Sequence, residues 1–154
     1  MTVVTRIPRT SRISTMIDKP GGVSVGVALT RANRNLETLR GQGLELAAEA
    51  VAAISALPVP GSRDEAGAAA QEAYQLSAGL IDATGPFGLT DLCTAAAGLC
   101  DLLDAATDQI DWRIVTVHAQ SMRMLLVLPE EDRASRDAIL AELRRVRERR
   151  LPGA

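Results

Sequence analysis

This amino-acid sequence predicts an all-α fold, an antiparallel up-down bundle of four to five helices with an extended basic tail before it. The first observation is compositional, because 47% of the 154 residues are hydrophobic while Trp, Tyr and Phe occur once each. A core built from Leu, Ile, Val and Ala favours helices over sheets. The second is that apolar residues recur every three or four positions in five separate stretches. Since only a few residues connect these stretches, successive helices are expected to run antiparallel.

The N-terminal segment, residues 1–22, differs in composition from the rest of the chain. It carries four basic residues and one acidic residue among Thr, Ser, Pro and Gly. Because it contains Pro8 and alternates apolar with polar residues in parts, it is predicted to be extended or disordered. Residues 23–150 are predicted to form one helical domain that folds without this tail. Two roles remain open for the tail, packing on the protein's own acidic helices or docking on a partner.

The first predicted helix covers residues 25–57, and its apolar positions alternate in steps of four and three. Gly41 and Gly43 weaken its middle, by up to about 1 kcal/mol each relative to Ala, and permit a bend. Pro58 ends the helix. Its predicted inward stripe consists of Val25, Leu29, Ala32, Leu36, Leu39, Gly43, Leu46, Ala50, Ile54 and Leu57.

The second predicted helix begins at Ser62, where Glu65 three residues later completes a capping-box pair. It extends to about Thr84, and residues 85–88, with the sequence Gly-Pro-Phe-Gly, form a turn. The third helix covers about residues 89–106, and its acidic residues Asp101, Asp104 and Asp108 form a stripe separate from its inward apolar residues. Because the turn between them is short, the second and third helices are predicted to run antiparallel.

The fourth predicted helix covers residues 111–128 and has a wide apolar face, and Pro129 breaks it. The fifth covers residues 130–150 and is strongly charged. Its apolar seam is narrow and consists of Ala138, Ile139, Leu143 and Val146.

Charge is unevenly distributed along the chain. From Asp64 to Asp111 there are nine acidic residues and no Lys or Arg, whereas five Arg face one Glu between Arg144 and Arg150. The formal net charge of -2 gives no excess of cations for phosphate neutralisation, so nucleic acid is not expected as a partner. The longest uncharged stretch, residues 50–62, is interrupted by proline and too short to cross a bilayer, and no secretory pattern is present. A cytoplasmic protein without membrane contact is predicted.

Metal and cofactor chemistry are not expected from this sequence. Cys93 and Cys100 are seven residues apart on one predicted helix, about 10 Å along its axis, so they cannot form a disulfide and are predicted to be reduced. The only imidazole is His118, at the flank of the apolar face of the fourth helix with its ring partly covered. With one His, no CxxC motif and no acidic cluster at ligand spacing, no metal site is predicted.

Two stretches around the predicted turn resemble the histidine phosphotransfer (Hpt) domain of bacterial phosphorelays. Residues 73–79 read Ala-Tyr-Gln-Leu-Ser-Ala-Gly, and Phe87-Gly88-Leu89 precedes a helix with the sequence Leu-Cys-Thr-Ala-Ala at residues 92–96. The family pattern is Ala-His-x-Leu-Lys-Gly on one helix, then a Phe-Gly or Leu-Gly turn. In overall plan the chain is also similar to small chemotaxis-operon proteins of the CheE type. The resemblance implies an antiparallel four-helix bundle and a role in chemotaxis or two-component signalling.

The departure from that pattern implies a mechanism without phosphotransfer. In the two possible alignments, Tyr74 or Ser77 stands where the family has its phosphoacceptor His, and the basic residue of the motif is also missing. The expected function is non-catalytic docking of a response-regulator receiver domain or a histidine kinase through the second and third helices. The residues predicted to contact the partner are Tyr74, Ser77, Phe87, Asp101 and Asp104.

Two alternatives remain open from the sequence. In the first, the protein is an active phosphotransfer protein whose acceptor is His118. In the second, it is a helical adaptor or dimerisation module whose long first helix pairs with another copy of itself.

Overall fold

A computed structural model describes residues 21–106 and 110–150, and this part of the chain is helical with no strand. The all-α prediction is confirmed. Residues 1–20 of the predicted tail and Asp108 of the predicted acidic stripe lie outside the described residues. The helices are α1 (Val25–Ala56), α2 (Arg63–Thr84), a 3-10 turn (Gly85–Phe87), α3 (Thr90–Ala105), α4 (Trp112–Val127) and α5 (Arg133–Arg150).

The chain divides into two compact units, Met1–Asn35 and Leu36–Ala154, with the boundary inside α1. In the first unit, every residue from position 21 to position 35 is solvent-exposed. The buried core belongs to the second unit, where all five helices contribute to it. Helix α3 is the most deeply buried of them, and its Leu92, Ala95, Ala96 and Leu99 are each at most 2% exposed.

Helix α2 begins as the sequence predicts. Ser62 is extended and its Oγ accepts a hydrogen bond from the backbone N–H of Glu65 at 3.3 Å. The Glu65 carboxylate accepts from the N–H of Gly61 at 2.8 Å rather than from Ser62, so the capping box is displaced by one residue. At the other end Gly88 has φ of +71°, the left-handed conformation that closes the turn before α3.

Helix α5 begins three residues later than predicted, at Arg133. Asp132 provides the cap, because its Oδ1 accepts from the N–H of Ser135 at 3.2 Å. Hydrogen bonds from the Ser135 side chain and from its backbone N–H favour the ionised carboxylate and lower the pKa of Asp132. The predicted boundary was wrong because Glu130 has no such backbone contact in its own first turn and belongs to the preceding turn.

The inward face predicted for α1 is wrong over most of its length. The buried residues of α1 are Gly43, Ala47, Val51 and Ile54. Of the predicted stripe, only Gly43 and Ile54 are buried, while Leu39 and Leu46 are 49% and 50% exposed. Residues 21–39 are all exposed, so the first part of α1 has no covered face. At Gly43 the predicted stripe does enter the core, where an added Cβ would lie 2.3 Å from Cε2 of Phe87. Beyond Gly43 the buried face continues through Ala47 and Val51, which leaves Leu46 outside.

Candidate functional site

Exposed apolar side chains are concentrated on helix α1. Six of the eleven large hydrophobic residues that are exposed in the described part of the chain belong to this helix. In the first unit these are Val25, Val27 and Leu29, at 75%, 45% and 57% exposed. In the second unit they include Leu36 and Leu39, at 37% and 49%. Scattered exposed hydrophobics need no explanation, whereas a row of them on one helix makes that helix a candidate interaction surface.

The spacing of these residues on α1 is that of a pairing seam. Within the second unit, Leu36, Leu39 and Leu46 keep the four-three alternation, which repeats every 3.5 residues and presents one apolar row to a facing helix. Val27 lies on the same helix outside this row. We call Leu36, Leu39 and Leu46 the α1 stripe. The periodicity of the sequence places these residues on one face of the helix, but the prediction that this face packs in the core is wrong, because the leucines are exposed.

Ser77, predicted to contact a partner, lies in the interior. It is 0% exposed, and its hydroxyl donates to the carbonyl of Ala73 at 2.8 Å. Ser77 follows the buried Ala73 by one helical turn, so both residues lie on the face of α2 that packs against α3. This position on the helix is the reason that the Ser77 side chain is buried. This residue is therefore removed from the predicted contact set, and the half-buried Tyr74 is retained in it.

Phe87, also predicted to contact a partner, packs against helix α1. Its ring is half-buried against Gly43, and its carbonyl accepts a hydrogen bond from Nη1 of Arg40 at 2.9 Å. From Tyr74 to the end of α2 the helix rises roughly 15 Å, at 1.5 Å per residue. Tyr74 therefore lies at the middle of α2 and Phe87 in the turn beyond its end, so the structure separates these two predicted contact residues along the hairpin.

Asp101 and Asp104 are exposed near the end of α3, as a partner-contacting role requires. Oδ2 of Asp101 is 3.0 Å from Nη1 of Arg147, so the basic end of α5 meets the acidic segment within this chain. Asp104 has no ion-pair partner among the described residues. Both carboxylates contribute to raising the pKa of the Cys100 thiol, although burial is the larger cause. Only part of the predicted acidic surface is therefore free to meet a partner.

His118 is far more buried than its predicted place at the flank of α4 implied. It is 1% exposed, and Nδ1 lies 2.9 Å from the carbonyl oxygen of Ile114. Because a carbonyl only accepts, Nδ1 carries the proton and donates it. Burial lowers the pKa of His118, which outweighs the opposite effect of this hydrogen bond. Nε2 is then a buried acceptor, and it has no hydrogen-bond partner among the described residues.

A cavity of about 100 Å³ lies against His118. Helices α3 and α5 provide its other walls. The lining residues are Thr94, Ala95, Gly98, His118, Leu140, Leu143, Arg144 and Arg147. Periodicity alone does not predict this cavity, since its arginines belong to a charged helix and its imidazole belongs to a different helix, 26 positions before Arg144.

A larger groove of about 530 Å³ lies between the second half of α1 and the end of α4. Its lining is mostly apolar and consists of Ala48, Val51, Ala52, Ser55, Ala56, Arg123, Leu126 and Val127. Val127 is 81% exposed, so the groove is open to solvent at this side.

Over residues 21–106 and 110–150 there is no group of three His, Cys, Asp or Glu side chains placed to hold a metal ion. Within the same ranges, no helix is both long and apolar enough to cross a membrane. Comparison of the chain with family models, with curated proteins and with solved structures found no match. The site is therefore defined by its own residues, the α1 stripe and the His118 cavity.

Proposed function

We propose that this protein acts by binding another protein, without a reaction of its own, and that the α1 stripe is the docking surface. The observation that carries the proposal is the exposure of Leu36, Leu39 and Leu46 in one row of the part of α1 that belongs to the second unit. Completely burying a fully exposed leucine is worth about 1.5–3 kcal/mol, so these leucines, which are 37–50% exposed, would each contribute about half of that or less. The stripe therefore supplies part of the free energy of an interface when a partner helix packs on it.

The partner class that we propose is a response-regulator receiver domain or a histidine kinase of bacterial chemotaxis or two-component signalling. The resemblance around Tyr74 and Phe87 supports this setting, and the helical hairpin α2–α3 agrees with the fold that the resemblance implies. Asp101 and Asp104, which are exposed, would assist the encounter through their charge. A second copy of this chain is the alternative occupant of the α1 stripe, because a heptad-like row is complementary to itself.

The double substitution Leu36→Arg with Leu39→Arg is expected to weaken partner binding at least tenfold. Arg forms helices as readily as Leu, so the helix persists while the apolar row is interrupted by charge. Titration of the partner, a purified receiver domain or histidine kinase, measures the affinity. Sedimentation equilibrium of the protein alone tests pairing with a second copy in the same way.

The matched control is Val27→Arg, which introduces the same side chain on α1 outside the stripe. Val27 is 45% exposed, close to the 49% of Leu39. We expect the control to bind like the wild type and to melt at the same temperature within error. Equal loss of binding in the control and the double variant would contradict a docking role for the stripe.

The predicted acidic contact has its own test. Replacing Asp101 and Asp104 with Lys is expected to weaken binding and to reduce its dependence on salt, because complementary charge mainly affects encounter. Thermal stability should change little, since the lost Asp101–Arg147 pair is solvent-exposed and such pairs contribute about 0–1 kcal/mol.

The control for this pair is Glu142→Lys with Glu148→Lys on α5. It makes the same change in net charge and also removes one exposed ion pair, that of Glu142 with Arg145. If both double variants bind alike at low and at high salt, net charge alone matters and Asp101 and Asp104 form an ordinary solvated surface.

A second candidate function, phosphotransfer through His118, is favoured by one observation. Its Nδ1 donates to a backbone carbonyl, which leaves Nε2 with the lone pair that a phosphoacceptor needs. Against it stands the burial of the ring, since a 1% exposed imidazole is not accessible to the active site of a second protein.

We therefore expect the protein to take no phosphoryl group from phosphorylated receivers or from kinases. The measurement is transfer of radiolabel to the chain, with stability in base and lability in acid as the signature of phosphohistidine. Label on the wild type that disappears in His118→Gln would replace the binding proposal with phosphotransfer.

A further inference from the structure

The cavity beside His118 has an unusual polar group in its wall. Because Nδ1 of His118 donates to Ile114, Nε2 is a hydrogen-bond acceptor, and it is buried without a partner among the described residues. Buried acceptors in folded proteins are nearly always satisfied by protein, water or a ligand. We therefore expect a hydrogen-bond donor in the cavity that binds to Nε2.

The volume of the cavity limits the size of that group. At about 100 Å³ it exceeds the roughly 30 Å³ that one water occupies in the liquid. A tetrahedral oxyanion fits such a volume, whereas a nucleotide does not. Ala95, Leu140 and Leu143 provide apolar wall, so the polar contacts of a ligand in this cavity must come from His118, Arg144 and Arg147.

The charge of the cavity is positive. The titratable or charged residues that line it are His118, held neutral by burial, Arg144 and Arg147. Asp101 reaches this set only through its ion pair with Arg147. Arg144 is exposed and has no ion-pair partner among the described residues, so its guanidinium is available to an anion. Arginine is also the side chain best suited to hold phosphate oxygens.

We propose that this cavity is a binding site for a small oxyanion that retains one O–H, with inorganic hydrogen phosphate as the representative ligand. The O–H of the ion donates to Nε2 of His118, and its ionised oxygens accept from Arg144 and Arg147. No bond is made or broken. The site shares no residue with the α1 stripe, so a negative result for one proposal does not affect the other.

The acceptor nitrogen gives the site a testable selectivity. Sulfate has the shape and charge of hydrogen phosphate but no O–H near neutral pH, so it would place an oxygen lone pair against that of Nε2. A site built to hydrogen-bond a ligand hydroxyl rejects the analogue that lacks it, because the site's own polar group is then left unpaired. Hydrogen phosphate should therefore bind at least tenfold more tightly than sulfate.

The test uses the full chain at pH 7 and equal ionic strength, titrated with sodium phosphate and, separately, with sodium sulfate. Nitrogen NMR of the histidine ring gives the direct readout, because a donor to Nε2 moves the resonance of this nitrogen while Nδ1 keeps its hydrogen bond. We expect phosphate to shift the Nε2 resonance to saturation and sulfate to leave it unchanged. The single His in the chain makes the assignment unambiguous.

Two variants locate the charge that the site uses. Arg144→Met should weaken phosphate binding about tenfold, whereas Arg145→Met, on the adjacent position outside the cavity lining, should leave it unchanged. Equal binding of phosphate and sulfate, or equal loss in both variants, would show an adventitious ion on the basic surface of α5. An Nε2 resonance that neither ion moves would show a cavity filled by water alone. Each of these results would overturn the proposal.

Discussion

Replacing Arg136 with Met is expected to lower the free energy of unfolding by about 3 kcal/mol or more. Arg136 is 3% exposed, and its Nε donates to Oδ2 of Asp91 at 2.6 Å. Its Nη1 donates to the carbonyls of Leu125 and Leu128, both at 2.9 Å. One guanidinium therefore connects the first turn of α3, the end of α4 and the first turn of α5. Its loss leaves a mostly buried carboxylate and two carbonyl groups without their donor.

The measurement is urea unfolding followed by circular dichroism, with Arg133→Met as the matched control. Arg133 also approaches Asp91, with Nη1 at 3.7 Å from the same oxygen, but its side chain is 68% exposed. We expect the control to change stability by no more than about 0.5 kcal/mol, as is usual for exposed ion pairs. Similar losses for both variants would mean that Asp91 needs only positive charge nearby, and not the buried clamp.

The second large effect is expected at Gly43, where Gly→Ala should destabilise the protein by about 1–3 kcal/mol. An added Cβ would lie 2.3 Å from Cε2 of Phe87 and 2.8 Å from the backbone oxygen of Ala83. The ring can move, but the backbone of α2 must shift to relieve the second contact. The close approach of the two helices therefore depends on the absence of a side chain at this position.

Gly41→Ala is the control for the same helix, because nothing lies within 4 Å of a Cβ added at Gly41. There the higher helix propensity of Ala should stabilise the protein by up to about 1 kcal/mol. Thermal unfolding of both variants measures the opposite signs. If Gly43→Ala is also stabilising, α1 does not pack against Phe87 as described.

Helix existence and most helix ends were predictable because their signals are local. Pro58 predicts the end of α1 and the Ser62 cap predicts the start of α2, since each acts on backbone groups within a few residues. The start of α5 was misplaced because Asp132, and not the charged residue at position 130, reaches the free backbone N–H of the first turn. Local chemistry therefore decides these boundaries to within one turn.

Which residues of α1 are buried could not be predicted from periodicity. The four-three spacing of Leu36, Leu39 and Leu46 identifies a face, but the same spacing serves a core and an interface equally well. What decides between them is where other elements meet the helix: Gly43 contacts Phe87, 44 positions later, whereas residues 21–39 are all exposed. A glycine within an apolar row was the available signal, since it allows close approach of another chain segment.

The candidate sites show the same division between local and long-range information. His118 and Arg144 are candidate site residues because three helices bring them to one cavity, and neither of them lies in a sequence motif. The Asp91–Arg136 pair joins residues 45 positions apart. The resemblance around Tyr74 and Ser77 predicts a contact surface on α2, whereas the exposed apolar side chains are concentrated on α1.

The most direct test of the proposed docking surface is photo-crosslinking from single positions in the living cell. A benzophenone amino acid placed at Leu36 should give one defined adduct, identified by mass spectrometry as a receiver domain or histidine kinase. The same group at Val27, outside the stripe, should give none. Adducts from Tyr74 and Asp104 but not from Leu36 would move the docking surface to α2 and α3 and contradict the account given for α1.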